Sequence, residues 1–286
     1  MAPRTPVIDA HHHFLYPSRW EYPWITAGME ALRRPFTPED LGPLLRRAGV
    51  DATIAVQTVA DLEETRELLA VAAGGEMVAG VVGWADLTDP TLPEVLDELR
   101  RGPGGDRLVG IRHQVHDEED PRWLLRPDVL RGLDAVGAAG LVYDLLVRPR
   151  ELPAAVNVAR AHPEMRFVLD HIGKPRIADG ADEEWAESMA AFEQLPHVAC
   201  KLSGMVTEAD RERWRPSDLA PFVERVRAWF GDERLMFGSD WPVCTLVASY
   251  EQVRDALMTA LGPTPDETLA AIFGGNAARI YRLPVG

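Results

Sequence analysis

Cysteine and positive charge are both scarce in this sequence, and each scarcity excludes a class of protein. The two cysteines, Cys200 and Cys244, exclude a disulfide framework, so we expect a reducing compartment. Thirty lysines and arginines stand against 45 acidic residues, for a net charge of −15. Nucleic acid and anionic membrane surfaces bind basic faces, so neither is expected as a partner. A small anionic substrate stays compatible, because a few local cations can dominate a pocket.

Long apolar runs and nucleotide-binding glycine motifs are also absent. No stretch reaches the roughly 20 residues that cross a membrane, and no signal-peptide segment precedes the first apolar run, so we expect a cytoplasmic protein. No G-x-G-x-x-G or phosphate loop follows a predicted strand, which disfavours a doubly wound nucleotide-binding sheet. No linker, charge block or repeat divides the chain, so we predict one domain over residues 1–286.

Short β-branched apolar runs alternate with segments of helical spacing along the whole chain. Segments such as PEDLGPLLRRAG and LEETRELLAVAAG have the spacing of amphipathic helices. Apolar strands that alternate with helices predict a parallel sheet buried on both faces. Eight such units in 286 residues predict an α/β fold, a closed (β/α)8 TIM barrel, rather than an open sheet. The eight predicted strands lie in the runs TPVIDAHHHF, VDATIAVQT, MVAGVVGWADL, RLVGIRHQV, LVYDLLV, RFVLDHIG, VACKLSG and RLMFGSDW.

Three of the eight histidines stand side by side in VIDAHHHF. Alternate side chains of a strand share a face, so we expect His11 and His13 to lie together with Asp9. In a barrel, functional groups stand at the carboxyl ends of the strands, where His171 and Asp240 follow the sixth and eighth runs. Buried charged groups are costly unless they are paired or coordinated, so this cluster predicts a functional site.

Three motifs stand in a specific order along the chain: His-x-His on strand one, DHIGKP on strand six and SDWPV on strand eight. In this order they resemble the amidohydrolase superfamily, and more narrowly its amidohydrolase-related branch of sugar and aromatic-pathway lactonases. GIRHQV, KLSG and GNAARIYRL extend the resemblance over nearly the whole chain. The resemblance implies hydrolysis of a small lactone, such as L-fucono- or L-rhamnonolactone or a related carboxylated lactone, to the open-chain hydroxy acid.

Two departures from the superfamily limit the metal content that the resemblance implies. Binuclear members carry a lysine at the end of strand four, where this chain has GIRHQV. Zinc-dependent decarboxylases of the branch use a histidine on strand five, where this chain has LVYDLLV. We therefore expect at most one divalent ion, Zn²⁺ or Mn²⁺, held by His11, His13 and Asp240. A metal-independent enzyme stays open, because members of the branch differ in their need for metal.

Lactone hydrolysis needs an activated water, a group that holds the oxyanion and a proton for the leaving alkoxide. Asp240 matches the catalytic aspartate of the family, so we predict that it is the general base and later returns the proton to the ring oxygen. His11 and His13 are expected to polarise the carbonyl, through a metal or by hydrogen bonds. His171 is expected to orient the carbonyl or the water.

The remaining strand ends supply the predicted substrate contacts. The guanidinium of Arg112 offers a planar fork that can bind a carboxylate or two hydroxyls. An ion pair with a neighbouring acid is the alternative role for Arg112. Aromatic faces suit the C–H surface of a sugar ring. For Gln57, Asp170 and His113 the sequence does not favour a functional over a structural role. The predicted contacts are Arg112, Gln114, Tyr143, Lys201, Trp24 and Trp241.

Two other functions stay open from the sequence. One is a mononuclear-metal decarboxylase or hydratase of the same branch, which lacks its strand-five histidine here. The other is a catalytically inactive barrel that binds a sugar acid, although a binding protein has no need of a base beside the carbonyl. The expected partner is a small lactone, and assembly into a homo-oligomer stays open.

Overall fold

A computed structural model describes residues 4–180 and 182–284 of the chain. Over these residues eight strands form one parallel sheet, in which each strand pairs with the next along the chain. The strands are β1 (Ile8–His12), β2 (Ala52–Val56), β3 (Val78–Gly83), β4 (Leu108–His113), β5 (Val142–Leu145), β6 (Phe167–Leu169), β7 (Val198–Leu202) and β8 (Leu235–Phe237).

The sheet curls until its two edges meet just beyond β8. The backbone N–H of Asp240 donates to the carbonyl oxygen of His11 at 2.8 Å, and the N–H of His13 donates to that of Trp241 at 2.6 Å. This contact confirms the predicted (β/α)8 barrel. The predicted single domain of residues 1–286 includes positions outside the described residues and stays a prediction.

Helices connect the strands and cover the outside of the barrel, as the amphipathic segments predicted. Gly49, with a φ of 67°, ends the first helix in the left-handed conformation that glycine adopts without strain. In the described ranges, the helices are α1 (Pro38–Ala48), α2 (Leu62–Ala73), α3 (Leu92–Arg101), α4 (Pro127–Ala138), α5 (Leu152–Ala161), α6 (Glu183–Ala190), α7 (Met205–Glu208), α8 (Pro216–Phe230), α9 (Tyr250–Leu261), α10 (Asp266–Ala270) and α11 (Asn276–Tyr281).

Two apolar layers hold the fold together. Most of the buried apolar residues lie between the strands and the helices. A smaller cluster contains residues of all eight strands and is joined by Ala277, Ile280 and Tyr281 of α11. A π-helical turn over residues 271–275 separates α10 from α11. At Gly274 an added Cβ would lie 1.8 Å from the carbonyl oxygen of Pro6, so only glycine fits this close approach.

The first strand departs from simple alternation. Its register with β2 shifts between Asp9 and His12, as in a β-bulge. Asp9 accepts hydrogen bonds from the hydroxyl of Tyr250 in α9 at 2.9 Å and from the backbone N–H of Ser239 at 2.8 Å. The prediction that Asp9 shares a face with His11 is therefore wrong, because the shift breaks the alternation between them.

None of the helices in the described part of the chain is long and apolar enough to cross a membrane.

Candidate active site

The four residues predicted to be catalytic lie together at the carboxyl end of the barrel. Nε2 of His11 is 3.3 Å from Nε2 of His13. Oδ1 of Asp240 lies 3.4 Å from Nε2 of His13 and 3.9 Å from Nε2 of both His11 and His171. All four side chains are buried. Three imidazoles therefore converge on one carboxylate.

Unusual backbone conformations place two of these side chains. His171 has a φ of 53° and Asp240 a φ of 57°, a left-handed region that costs energy for residues other than glycine. Two glycines make room for the rings. An added Cβ would lie 2.7 Å from Nδ1 of His171 at Gly204, and 2.7 Å from Cβ of His11 at Gly238. The fold therefore accepts local strain at the positions that form the cluster.

The ionisation states of the cluster follow from burial and from neighbouring charges. Burial lowers the pKa of His11 and of His171 well below the usual value, so both imidazoles are neutral near pH 7. Burial acts to raise the pKa of Asp240, but His171 and His13 outweigh it and hold that pKa below its usual value. Asp240 is therefore an ionised carboxylate, which is the form that a general base needs.

The donor set fits a single divalent ion. Ligand atoms of His11, His13 and Asp240 lie within 4.8 Å of one another, as do those of His11, Asp170 and His171. Nδ1 of His13 is 2.8 Å from the carbonyl oxygen of Val56, which only accepts, so Nδ1 donates there and Nε2 is directed at the cluster. Imidazoles with a carboxylate are a ligand set that suits zinc.

A buried ion-pair network lies directly beneath the histidines. Nζ of Lys201 is 2.5 Å from Oδ2 of Asp144 and 3.0 Å from Oδ1 of Asp170. Nη1 of Arg112 is 3.0 Å from Oδ2 of Asp170, and Nδ1 of His11 is 3.3 Å from Oδ1 of the same carboxylate. Two cations thus face two anions, which compensates the cost of burying each charge. The network holds the ring of His11 from below.

An open cavity of about 550 Å³ lies above the cluster. His13, His171 and Asp240 are at its lining, and so are three of the predicted substrate contacts. Those three are Arg112, Gln114 and Trp24. Arg112 lines the cavity and also pairs with Asp170, and its contact with a substrate stays a prediction.

Three other predicted contacts lie away from the cavity, and their placement corrects the prediction. Lys201 is fully buried in the ion-pair network. Tyr143 packs in the layer between strands and helices, its ring 6.3 Å from that of Phe167, because strand alternation turns Asp144 inward instead. Trp241 packs against the ring of Phe36 at 5.5 Å, on the far side of the turn at Asp240.

The sequence favoured neither a functional nor a structural role for Asp170, Gln57 and His113, and the structure places them differently. Asp170 is the hub of the ion-pair network. Gln57 is buried, and its carbonyl oxygen accepts from Nη2 of Arg112 at 2.5 Å. The ring of His113 stacks on that of Trp123, with centroids 4.2 Å apart, and His113 also pairs with Glu118. These contacts make His113 a structural residue of the loop that follows β4.

Several residues at or near the cavity carried no sequence signal. Thr58 and Leu146 line the cavity from loops and Val243 from a short 3-10 helix, where single small or apolar residues are ordinary. Glu64 is buried, although it lies in the first turn of α2, where an acidic residue is common at the surface. Only the packed structure distinguishes it from its exposed neighbour Glu63.

Comparisons with known proteins show the family of this chain. The sequence profile of the Amidohydrolase family matches residues 8–283. An L-fucono-1,5-lactonase of Burkholderia multivorans is 43% identical over 97% of this chain and 96% of its own length, and one of Burkholderia ambifaria is 40% identical over 96% and 95%. A crystal structure of an amidohydrolase from Burkholderia multivorans with bound zinc superposes with a TM-score of 0.91 at 41% identity, covering 98% of this chain and all of that one. The chain belongs to the amidohydrolase family.

Proposed function

We propose that this protein hydrolyses a sugar-acid lactone to the open-chain hydroxy acid, with L-fucono-1,5-lactone as its preferred substrate. The observation that carries the proposal is the ionised carboxylate of Asp240, which lies among three imidazoles at the lining of an open cavity. The L-fucono-1,5-lactonase of Burkholderia multivorans, at 43% identity over nearly the full chain, supports the choice of substrate.

Asp240 serves both proton transfers of the reaction. Its carboxylate takes a proton from water while the water oxygen forms a bond to the lactone carbonyl carbon. The ring C–O bond then breaks, and the protonated Asp240 gives that proton to the departing ring oxygen. One water is added and no other reactant is consumed. His171 orients the carbonyl or the water, with its Nδ1 held 2.9 Å from Oγ of Ser203.

His11, His13 and Asp240 are the residues that would hold one zinc ion. Such an ion supplies polarisation of the lactone carbonyl. His13 is oriented for this by Val56, and the ion-pair network holds His11.

We expect at most one zinc per chain, because the two donor groups found among the described residues share His11. Metal analysis after equilibration with zinc and removal of the free ion measures this. His13→Ala should lose the bound zinc, whereas His116→Ala, another cavity-lining histidine, should keep it. Two tightly bound ions per chain, or unchanged zinc in His13→Ala, would contradict this site.

Trp24 provides an aromatic wall of the cavity, with its Nε1 donating to the carbonyl oxygen of Thr58 at 3.0 Å. Loss of a ring that packs on the sugar costs about 1 kcal/mol, so Trp24→Ala should raise KM roughly five- to tenfold and change kcat little. Trp20→Ala is the control, since Trp20 lies in the same loop and donates to Glu67. A fall in kcat at constant KM would contradict a binding role.

The test of the function is acid release, followed with a pH indicator, from a panel of lactones. The panel contains L-fucono-1,5-lactone, L-rhamnonolactone and a carboxylated lactone, each corrected for spontaneous opening. Wild type should prefer the first, and Asp240→Asn should be nearly inactive on all three. Equal inactivity of wild type and Asp240→Asn on the whole panel would refute the proposal.

A further inference from the structure

We infer that Glu64 is a positioning residue for the substrate-contacting wall of the cavity, which we define as Trp24, Gln114 and Arg112. Glu64 touches none of these side chains by a hydrogen bond. It acts through the loop after β2, residues 57–59. The inference rests on the proposed function, because it assigns Glu64 a part in holding the groups that bind the lactone.

Glu64 binds the loop through nearly every acceptor position it has. Its Oε2 accepts from the backbone N–H of Thr58 at 2.9 Å and from that of Val59 at 3.0 Å. Its Oε1 accepts from the N–H of Thr58 at 3.1 Å and from the hydroxyl of the same residue. The side chain is only 4% exposed, so water does not replace these bonds. The backbone N–H groups of Thr58 and Val59 are therefore both bonded to this one carboxylate, while that of Gln57 donates to the carbonyl oxygen of Val82.

The loop in turn holds all three residues of the wall. The carbonyl oxygen of Thr58 accepts from Nε1 of Trp24 and from Nε2 of Gln114, each at 3.0 Å. The carbonyl oxygen of Gln57 accepts from Nη2 of Arg112. Trp24 comes from the first loop, whereas Gln114 and Arg112 come from the end of β4. Two adjacent carbonyls thus set the positions of side chains from two distant parts of the chain.

A carboxylate occupies this buried position despite a cost. Burial raises the pKa of Glu64 to about 7, which shows that its charge is disfavoured in the folded protein. Its place in the first turn of α2 offers partial compensation from the helix dipole. A hydrophobic residue would pack at this buried position without that cost, but it could not accept from three donors of the loop.

The experiment compares Glu64→Leu, Glu64→Gln and the control Glu63→Gln. Glu63 precedes Glu64 in α2, is exposed and pairs with Arg66. Steady-state kinetics on the best lactone measures KM and kcat. Glu64→Leu should raise KM at least about tenfold and change kcat less than about threefold, because a wall displaced by a fraction of an ångström binds poorly while Asp240 is untouched. Glu64→Gln should lie between Glu64→Leu and wild type, since its amide keeps one acceptor oxygen.

Hydrogen exchange of the Thr58 and Val59 amides gives a second measurement that does not depend on turnover. It should be faster in Glu64→Leu and in Glu64→Gln than in wild type, and unchanged in Glu63→Gln. If Glu64→Leu does not fold, Glu64→Gln decides the matter. Unchanged exchange together with unchanged KM in Glu64→Gln overturns the inference, as does a loss of kcat at constant KM in either variant. Wild type that opens no lactone refutes the proposed function instead, and the exchange measurement still tests Glu64.

Discussion

Asp240→Asn is expected to lower kcat at least about a hundredfold, the typical effect of removing a general base. Asparagine keeps the size of the side chain but cannot accept the proton of water. The loss should be larger if a metal is bound, because the same change removes a carboxylate ligand. The measurement is kcat and KM on the best lactone, with circular dichroism to show that the fold persists.

Two further variants make this result specific. His171→Asn should be less severe, because His171 orients a reacting group and lies 3.9 Å from the carboxylate that takes the proton. Asp117→Asn is the matched control, since Asp117 lines the same cavity and is exposed. Near-normal turnover of Asp240→Asn would refute the mechanism, and equal losses in all three variants would point to a general effect of charge in the cavity.

Lys201→Met is expected to have the largest effect on stability. Lys201 is fully buried, and its removal leaves Asp144 and Asp170 with only Arg112 to balance two charges. Breaking a buried ion pair from one side costs about 3–5 kcal/mol in the free energy of unfolding. Urea unfolding measures the change. Activity should fall as well, because the ion-pair network that holds the ring of His11 is disrupted.

A double variant separates two effects of Lys201→Met on stability, the loss of the positive charge and the packing of the methionine side chain. Lys201→Met combined with Asp144→Asn leaves one anion, Asp170, paired with one cation, Arg112. The double variant should therefore lose less free energy of unfolding than the sum of the losses in the two single variants. Lys174→Met is the control, because Lys174 pairs with Glu208 at 3.1 Å in a partly exposed position and should cost less than about 1 kcal/mol. An unchanged unfolding midpoint in Lys201→Met, together with a raised KM, would instead restore Lys201 as a substrate contact.

The sequence by itself determined the barrel, because the signals for it are local and repeated. Apolar β-branched runs separated by amphipathic helices predicted the eight strands and their parallel order. Histidine and aspartate at strand ends, in the order His-x-His, DHIGKP and SDWPV, predicted that His11, His13, His171 and Asp240 would meet. Carboxyl ends of parallel strands lie at one end of a barrel, so sequence position was enough to bring these four together. Their roles in catalysis stay predictions.

Only the tertiary structure decided which way each polar side chain points. A register shift in β1 turned Asp9 outward, and alternation in β5 buried Tyr143 behind the sheet. Lys201 and Asp170 are separated by 31 positions yet share one buried salt bridge, a contact that no local pattern encodes. Glu63 and Glu64 are adjacent residues of the same type. Only Glu64 is buried, because the loop after β2 packs against it and donates hydrogen bonds to its carboxylate. Burial and pairing depend on contacts between distant segments, so they exist only once the chain has packed.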